Sequence, residues 1–295
     1  MIIFGAAADA ARISSSSRYS PMYYGKLSFW ILLQNIRLLN KIPIVGTFLK
    51  LSDDILVRKS SIQDHKVLFY GKFAKGINNQ NTITKLLSIL DKKNLLSNQK
   101  FEKKIKKNIP QKSGMGGGSM NAASILRYFI KKKIINISNA KVTKIANLIG
   151  SDVVLGLEKK NSILFNNGKI ERINYKTNLH VLVAKPNINY STRSIYLKVK
   201  NYSKPIYVSK NQLFFKINNL ARSVNDLEDI VFKKYLSVKN LKFFLLNLPG
   251  VIFARMTGTG SAIVAYFKNK RTANNAAKIF MKKYRNYLFI VSKTI

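Results

Sequence analysis

The residues best placed to do chemistry lie at 110–123, Pro-Gln-Lys-Ser-Gly-Met-Gly-Gly-Gly-Ser-Met-Asn-Ala-Ala. Glycine lets a backbone turn with its amide hydrogens aimed inward. Ala122, Ala123, Leu126, Phe129 and Ile130 recur at helical spacing, so the loop runs into an amphipathic helix whose N-terminus carries partial positive charge. A glycine turn alone is a plain loop; on a helix N-terminus it is a cradle for phosphate, and the helix favours that reading. The Gly-Lys-Ser/Thr of a Walker A loop is absent, and no strand leads tightly into the segment as a dinucleotide fingerprint requires.

Transfer of a phosphoryl group needs a held nucleotide, a metal to spread charge and a positioned acceptor hydroxyl. Asp152 is the candidate base. It is one of only 12 acidic residues and sits in the mostly apolar run Leu148–Leu155, where an unpaired carboxylate is costly to bury. A helix cap or turn aspartate is its alternative role. Ser119, where loop meets helix, fits a helix cap or an oxygen ligand near magnesium. Thr257-Gly258-Thr259-Gly260-Ser261 is a second glycine turn, by itself a tight hairpin. Lys26, at the head of an apolar strand, reads by itself as a solvated strand-end lysine, and His65 and His180 lack ligand spacing.

Several elements must position these groups. Leu27–Leu33 and Val67–Tyr70 read as strands in a β-rich stretch from Lys26 to about Phe73, and Ile83, Leu86, Leu87 and Leu90 as one face of a helix. A further helix spans about Ser138–Leu148, Asn166-Asn167-Gly168 turns, and Leu179–Ala184 is a strand; helices follow up to Leu246. The last fifty residues predict strand Val251–Met256, strand Ala262–Phe267, helix Thr272–Arg285 and strand Tyr287–Val291, which with Leu179–Ala184 make a ferredoxin-like α+β layer.

The ordered motifs resemble the GHMP kinases, the superfamily of galactokinase, homoserine kinase, mevalonate kinase and phosphomevalonate kinase. The glycine segment is similar to their ATP loop. Gly25-Lys26-Leu27-Ser28, Asn81-Thr82-Ile83-Thr84-Lys85, Ile149–Val153, Lys185-Pro186 with Ser191-Thr192, Asn225-Asp226-Leu227-Glu228 and Arg255–Ala262 are colinear from about Tyr24 onward with the 4-diphosphocytidyl-2-C-methyl-D-erythritol kinase family of non-mevalonate isoprenoid synthesis. The resemblance implies an α+β fold of two domains. Residues 19–175 would be the ATP-binding ribosomal protein S5 domain 2-like α/β domain, and 176–295 the ferredoxin-like domain. It implies an ATP-dependent, Mg2+-assisted phosphorylation of an alcohol on a cytidine diphosphate-linked sugar alcohol. Asp152 would be the base and Lys26 its partner. Pro110, Lys112, Gly114, Gly116, Gly117, Gly118, Ser119 and Asn81 would hold ATP, with Thr257, Gly258 and Gly260 closing from the second domain. Ser28, Asn40 and Thr192 would meet the substrate, and Ser119 the metal. The chain departs from the family pattern at Lys112 (usually Gly), Met120 (usually Ser), Ser28 (usually Asn), Val154 (usually Pro) and Leu38-Leu39-Asn40, where a Gly-Tyr-His usually helps hold cytosine.

Composition bounds the rest. A chain of 295 residues is long enough for two cores. The absence of cysteine removes disulfides and thiolate sites and fits a cytoplasmic protein, and apolar runs such as 1–8 and 262–267 are far shorter than a membrane span. The net charge of +40 invites a nucleic-acid partner, but the lysines are spread along the whole chain rather than gathered in a motif. The expectation is therefore no specific nucleic acid and no membrane, with a monomer or weak homodimer. Lys103–Lys107 and Lys131–Lys133 read as solvated faces or binding stripes, and residues 1–18 as a disordered tail or an over-extended start.

Overall fold

A computed structural model describes residues 44–165, 168–199 and 215–295. Lys26, Ser28, Asn40, the strand expected at 27–33 and the expected tail at 1–18 lie outside the described residues. The first half runs β1 (Ile44–Gly46), β2 (Asp54–Lys59), β3 (Lys66–Tyr70), α1 (Thr82–Lys92), β4 (Phe101–Lys106), α2 (Gly117–Lys131), α3 (Asn139–Ile149), α4 (Ser151–Leu155), β5 (Asn161–Leu164) and β6 (Ile170–Ile173). β4 is the middle strand of one sheet, antiparallel to β2 and parallel to β3, while β5 lies between β1 and β6 in a second, antiparallel sheet. The second half runs β7 (His180–Lys185), α5 (Thr192–Tyr196), α6 (Ile217–Arg222), α7 (Leu227–Lys234), α8 (Leu236–Leu246), β8 (Val251–Met256), β9 (Ile263–Phe267), α9 (Lys270–Lys283) and β10 (Leu288–Lys293). Its strands pair in the order β10-β7-β9-β8, all antiparallel, which is the ferredoxin-like layer expected from the last fifty residues.

The helices form where apolar spacing and caps agree. Ile83, Leu86, Leu87 and Leu90 are all buried on α1. Asn81 caps it by accepting from the Ile83 and Thr84 amides at 2.9 and 3.2 Å, and its own amide donates to Thr84 Oγ1 at 2.9 Å. Ala273, Ala276, Ala277 and Phe280 are buried on α9, whose cap is Asn269. The two halves share backbone pairing at the chain end: Ile295 N donates to Phe48 O at 2.9 Å and Lys50 N to Lys293 O at 2.7 Å.

One expectation fails in an instructive way. Lys103–Lys107 is neither a solvated face nor a binding stripe, because residues 101–106 are the central strand β4. The two-residue strand period puts Phe101, Lys103, Ile105 and Lys107 all inside, with Lys104 and Lys106 on the other side. Lys103 is fully buried, its ammonium 4.9 Å from the Phe101 ring centre and 5.3 Å from that of Phe129. Lys131–Lys133, at the end of α2, is solvated as expected.

The second glycine turn, Thr257–Gly260, packs directly on the first loop. Thr257 Oγ1 donates to Gly114 O at 3.0 Å, and Ala262 N to Ser113 O at 3.3 Å. A Cβ on Gly114, whose φ is +75°, would stand 2.3 Å from Thr257 O and 2.7 Å from Gly260 O. Nothing bulkier than glycine fits there without parting the two turns.

Two tests follow from these packings. Burial lowers the Lys103 ammonium to about 7, a penalty of roughly 5 kcal/mol at pH values where it must carry charge, well beyond the ~1–2 kcal/mol of the ring contacts. A depressed amine means the unfolded chain binds more protons between pH 7 and 10, so stability rises with pH there. Lys103→Met should therefore melt several degrees higher than the parent below pH 7, with the gap closing toward pH 10; melting curves across pH 6–10 check this. Gly114→Ala should cost about 2–4 kcal/mol from overpacking and a left-handed alanine, and lower Tm by roughly 5–10 °C. Gly76→Ala has a similar φ of +81° but meets nothing within 4 Å, so its loss should be about 1 kcal/mol in the same melts.

Candidate active site

The site is built outward from the exit of β4. Asp53, at the head of β2, is fully buried; its Oδ1 accepts the amides of Asn108 at 2.8 Å and Ile109 at 2.9 Å. Its Oδ2 accepts from the Lys107 ammonium and from Asn121 Nδ2 at 3.0 Å. One carboxylate thus joins a strand end, the lead into the glycine loop and helix α2. Asp53, Lys107 and Asn121 as a unit are missing from the sequence reading. The available signal was an acid just ahead of an alternating strand in a chain with 12 acids.

The loop then turns through left-handed residues at Lys112 (φ 47°), Gly114 and Gly116 (φ 55°) and enters α2 at Gly117. Gly116 is the cap and offers no side chain, so the first-turn amides stay open to an anion. Ser119 is the third residue of the helix, not its cap, which removes that alternative for it. A Cβ on Gly117 would meet Ile109 Cγ2 at 3.2 Å and Lys107 Nζ at 3.5 Å, and one on Gly118 would meet Thr82 Oγ1 at 3.2 Å. The Thr82 hydroxyl donates to Gly118 O at 2.7 Å, fastening the start of α1 to the start of α2.

Asp152 is the second residue of α4, which is capped by Gly150, so it is not itself the cap. It is buried, at 7% exposure, and its Oδ1 has no hydrogen-bond partner among the described residues. Burial pushes its carboxyl well above the ordinary range. The short helix that carries it is held at both ends. Arg172 donates to Val154 O at 2.8 Å and Leu155 O at 2.7 Å, and Lys85 Nζ to Ile149 O at 3.3 Å. Gly156 lets α4 close on α2, since a Cβ there would lie 2.8 Å from both Ala123 Cβ and Met120 Sδ. Met120 and Val154, two departures from the family pattern, are buried core residues.

A cavity of about 330 Å³ brings these groups together. Asp152, Asn81, Lys107, Asn121 and the segment Pro110–Ser119, with Lys112, Gly114, Gly116, Gly117, Gly118 and Ser119 among them, all line it. Asn81 contributes its position, its side chain being occupied in the cap and in bonds to Asn78 O and Asn79 O. Thr257, Gly258 and Gly260 do not line this cavity; Thr257 holds the loop through its bond to Gly114 O. Thr192 opens α5, and its side chain is outside the described set. His65 is structural as expected: Nδ1 accepts from Phe101 N at 2.9 Å and Nε2 lies 3.1 Å from Asp91. Among the described residues no group of three His, Asp or Glu side chains could hold a metal ion.

Residues 81–159 match the GHMP kinases N terminal domain and residues 211–286 the GHMP kinases C terminal domain. The chain is 47% identical over 257 residues to a 4-diphosphocytidyl-2-C-methyl-D-erythritol kinase of Pelagibacter ubique, covering 87% of this chain and 92% of that one. A kinase of the same name from Clostridium perfringens is 30% identical over 201 residues, covering 65% of this chain and 68% of that one. The fold is similar to a crystal structure of 4-(cytidine 5'-diphospho)-2C-methyl-D-erythritol kinase, with a TM-score of 0.66 at 19% identity over 83% of this chain and 87% of the other. It is also similar to homoserine kinase from Cytophaga hutchinsonii, with a TM-score of 0.63 at 14% identity over 91% and 88%. The chain belongs to the 4-diphosphocytidyl-2-C-methyl-D-erythritol kinase family of the GHMP kinases.

Proposed function

We propose that this chain is an ATP-dependent kinase that phosphorylates the 2-hydroxyl of 4-diphosphocytidyl-2-C-methyl-D-erythritol, in non-mevalonate isoprenoid precursor synthesis. The observation that carries the reading is one cavity holding both an uncapped glycine-led helix N-terminus and the buried carboxylate Asp152. The first of these features suits a polyphosphate and the second suits a hydroxyl that must lose its proton.

Asp152 takes the proton of the acceptor hydroxyl as its oxygen bonds to the γ-phosphorus, and the bond to the β-γ bridging oxygen breaks to release ADP. A carboxyl raised by burial is the stronger base for that step. The loop amides from Gly114 to Ser119 hold the phosphates, with Lys107, paired to Asp53, and the exposed Lys112 lining the same cavity. ATP supplies the phosphoryl group, and Mg2+ spreads its negative charge when bound. Ser119, a hard oxygen donor at the cavity wall, is the residue of this chain that would hold the metal. By family match alone, Lys26 would be the partner of the base, and Ser28, Asn40 and Thr192 would serve the acceptor. Among the described residues no helix is long and apolar enough to cross a membrane. With that, the reading is a cytoplasmic monomer or weak homodimer without specific nucleic-acid binding.

Asp152→Asn keeps the shape and loses the base. ADP release coupled to a colour reaction, with the cytidine diphosphate-linked alcohol as acceptor, should fall on the order of 10²-fold or more in kcat while ATP affinity stays within about threefold. Turnover by the variant near the parent rate would remove Asp152 from the mechanism. Because burial raises this carboxyl, kcat of the parent should decline with acidification already above the ordinary carboxylate range, and a pH–rate profile reads that limb.

A further inference from the structure

Asn225-Asp226-Leu227-Glu228 has no part in the chemistry above, yet two of its buried side chains converge on the entry to the second glycine turn. Asn225, in the link from α6 to α7, is 3% exposed. Its Nδ2 donates to Met256 O at 2.9 Å and to Gly258 O at 2.7 Å, and its Oδ1 accepts from Leu227 N at 3.1 Å. Glu228 Oε1 accepts from Met256 N at 2.7 Å. The two carbonyls read by the one amide flank Thr257. Fixing them fixes the backbone of Thr257, and with it the direction from which its hydroxyl reaches Gly114 O.

A helix-start role would need only the Oδ1 acceptor, which aspartate or serine supplies equally well. Two donors aimed at two carbonyls are a demand that, at this side-chain length, only asparagine meets. From Asn225 the chain of contacts runs without a gap: Asn225 to Met256 and Gly258, Thr257 to Gly114, Gly114 to the cavity wall.

We propose that Asn225 is a positioning residue for the nucleotide, acting through Thr257 to hold the phosphate loop in its binding conformation. This rests on the kinase reading of the cavity. Asn225→Asp retains the acceptor for Leu227 N, removes both donors and sets a carboxylate against two carbonyl oxygens. In the full-length enzyme it should raise KM for ATP about tenfold or more with kcat within about threefold. Val238→Ala, a fully buried core position of α8, should lower Tm as much and leave KM for ATP unchanged. Thr257→Val removes the last link and should raise KM similarly, and the double variant Asn225→Asp/Thr257→Val should be little worse than the poorer single one.

Calorimetric titration of ATP without acceptor separates this inference from the kinase reading. A parent that binds ATP and transfers nothing defeats that reading, while weaker binding by Asn225→Asp still supports the positioning role. ATP affinity of Asn225→Asp within twofold of the parent overturns the proposal. So does an equal loss in Val238→Ala, or full additivity in the double variant; if Asn225→Asp does not fold, Thr257→Val with unchanged ATP affinity overturns it alone.

Discussion

Everything at the site hangs on the buried carboxylate of Asp53. Taking a carboxylate and an ammonium out of water costs several kcal/mol per ion, and attraction offsets this only when the remaining lone pairs are also bonded. Asp53 meets that condition with Lys107, Asn121 and two backbone amides. Those partners are the exit of β4, the residues just before Pro110, and the second turn of α2. The loop therefore starts and ends on one anchor. Lys107 is at once the partner of Asp53 and a wall of the cavity, so the pair that fixes the loop also places ammonium hydrogens at that wall.

The charge balance makes such anchors scarce. With 12 acids against 52 basic residues, several of the described carboxylates are taken up by cations within the fold. Glu102 faces Arg58 across β2 and β4, Asp91 joins Lys100 and His65, and Glu228 takes Lys242 and Met256 N. Asp152 differs from these: none of the described cations forms an ion pair with it, and it faces the cavity. The surplus of lysine on the outside draws polyanions from a distance, which suits substrates that carry phosphates.

What the sequence makes legible follows from how each signal survives a lysine-rich background. Helix α1 is plain because Ile83, Leu86, Leu87 and Leu90 alternate with polar residues at 3.6 spacing. The glycine loop and Asp152 are plain because glycine clusters and acids are both rare here. β4 is hidden: when lysine fills inner and outer positions alike, the period-two pattern of Phe101, Lys103, Ile105 and Lys107 looks like an exposed run. Asp53 is hidden for a different reason, because its four partners come from residues 54 to 68 positions away along the chain. Ser119 reads as a cap only until the backbone shows that the helix has already begun two residues earlier.

The four glycines of the loop illustrate why a motif can be read long before its reasons. Gly116 is there for a left-handed turn that caps a helix without occupying its amides. Gly118 admits Thr82, Gly117 admits Ile109 and Lys107, and Gly114 admits the carbonyls of Thr257 and Gly260. A residue with a Cβ at any of the last three positions would push away a different neighbour: α1, the end of β4, or the second half of the molecule. Lys112 also adopts a left-handed φ, so the chain accepts a strain of about 1 kcal/mol at the position where the family usually has glycine and gains a cation at the cavity mouth. The loop is glycine-rich because three separate elements must approach it at once, and this convergence puts the proposed phosphate cradle and the contact between the two halves on a single segment.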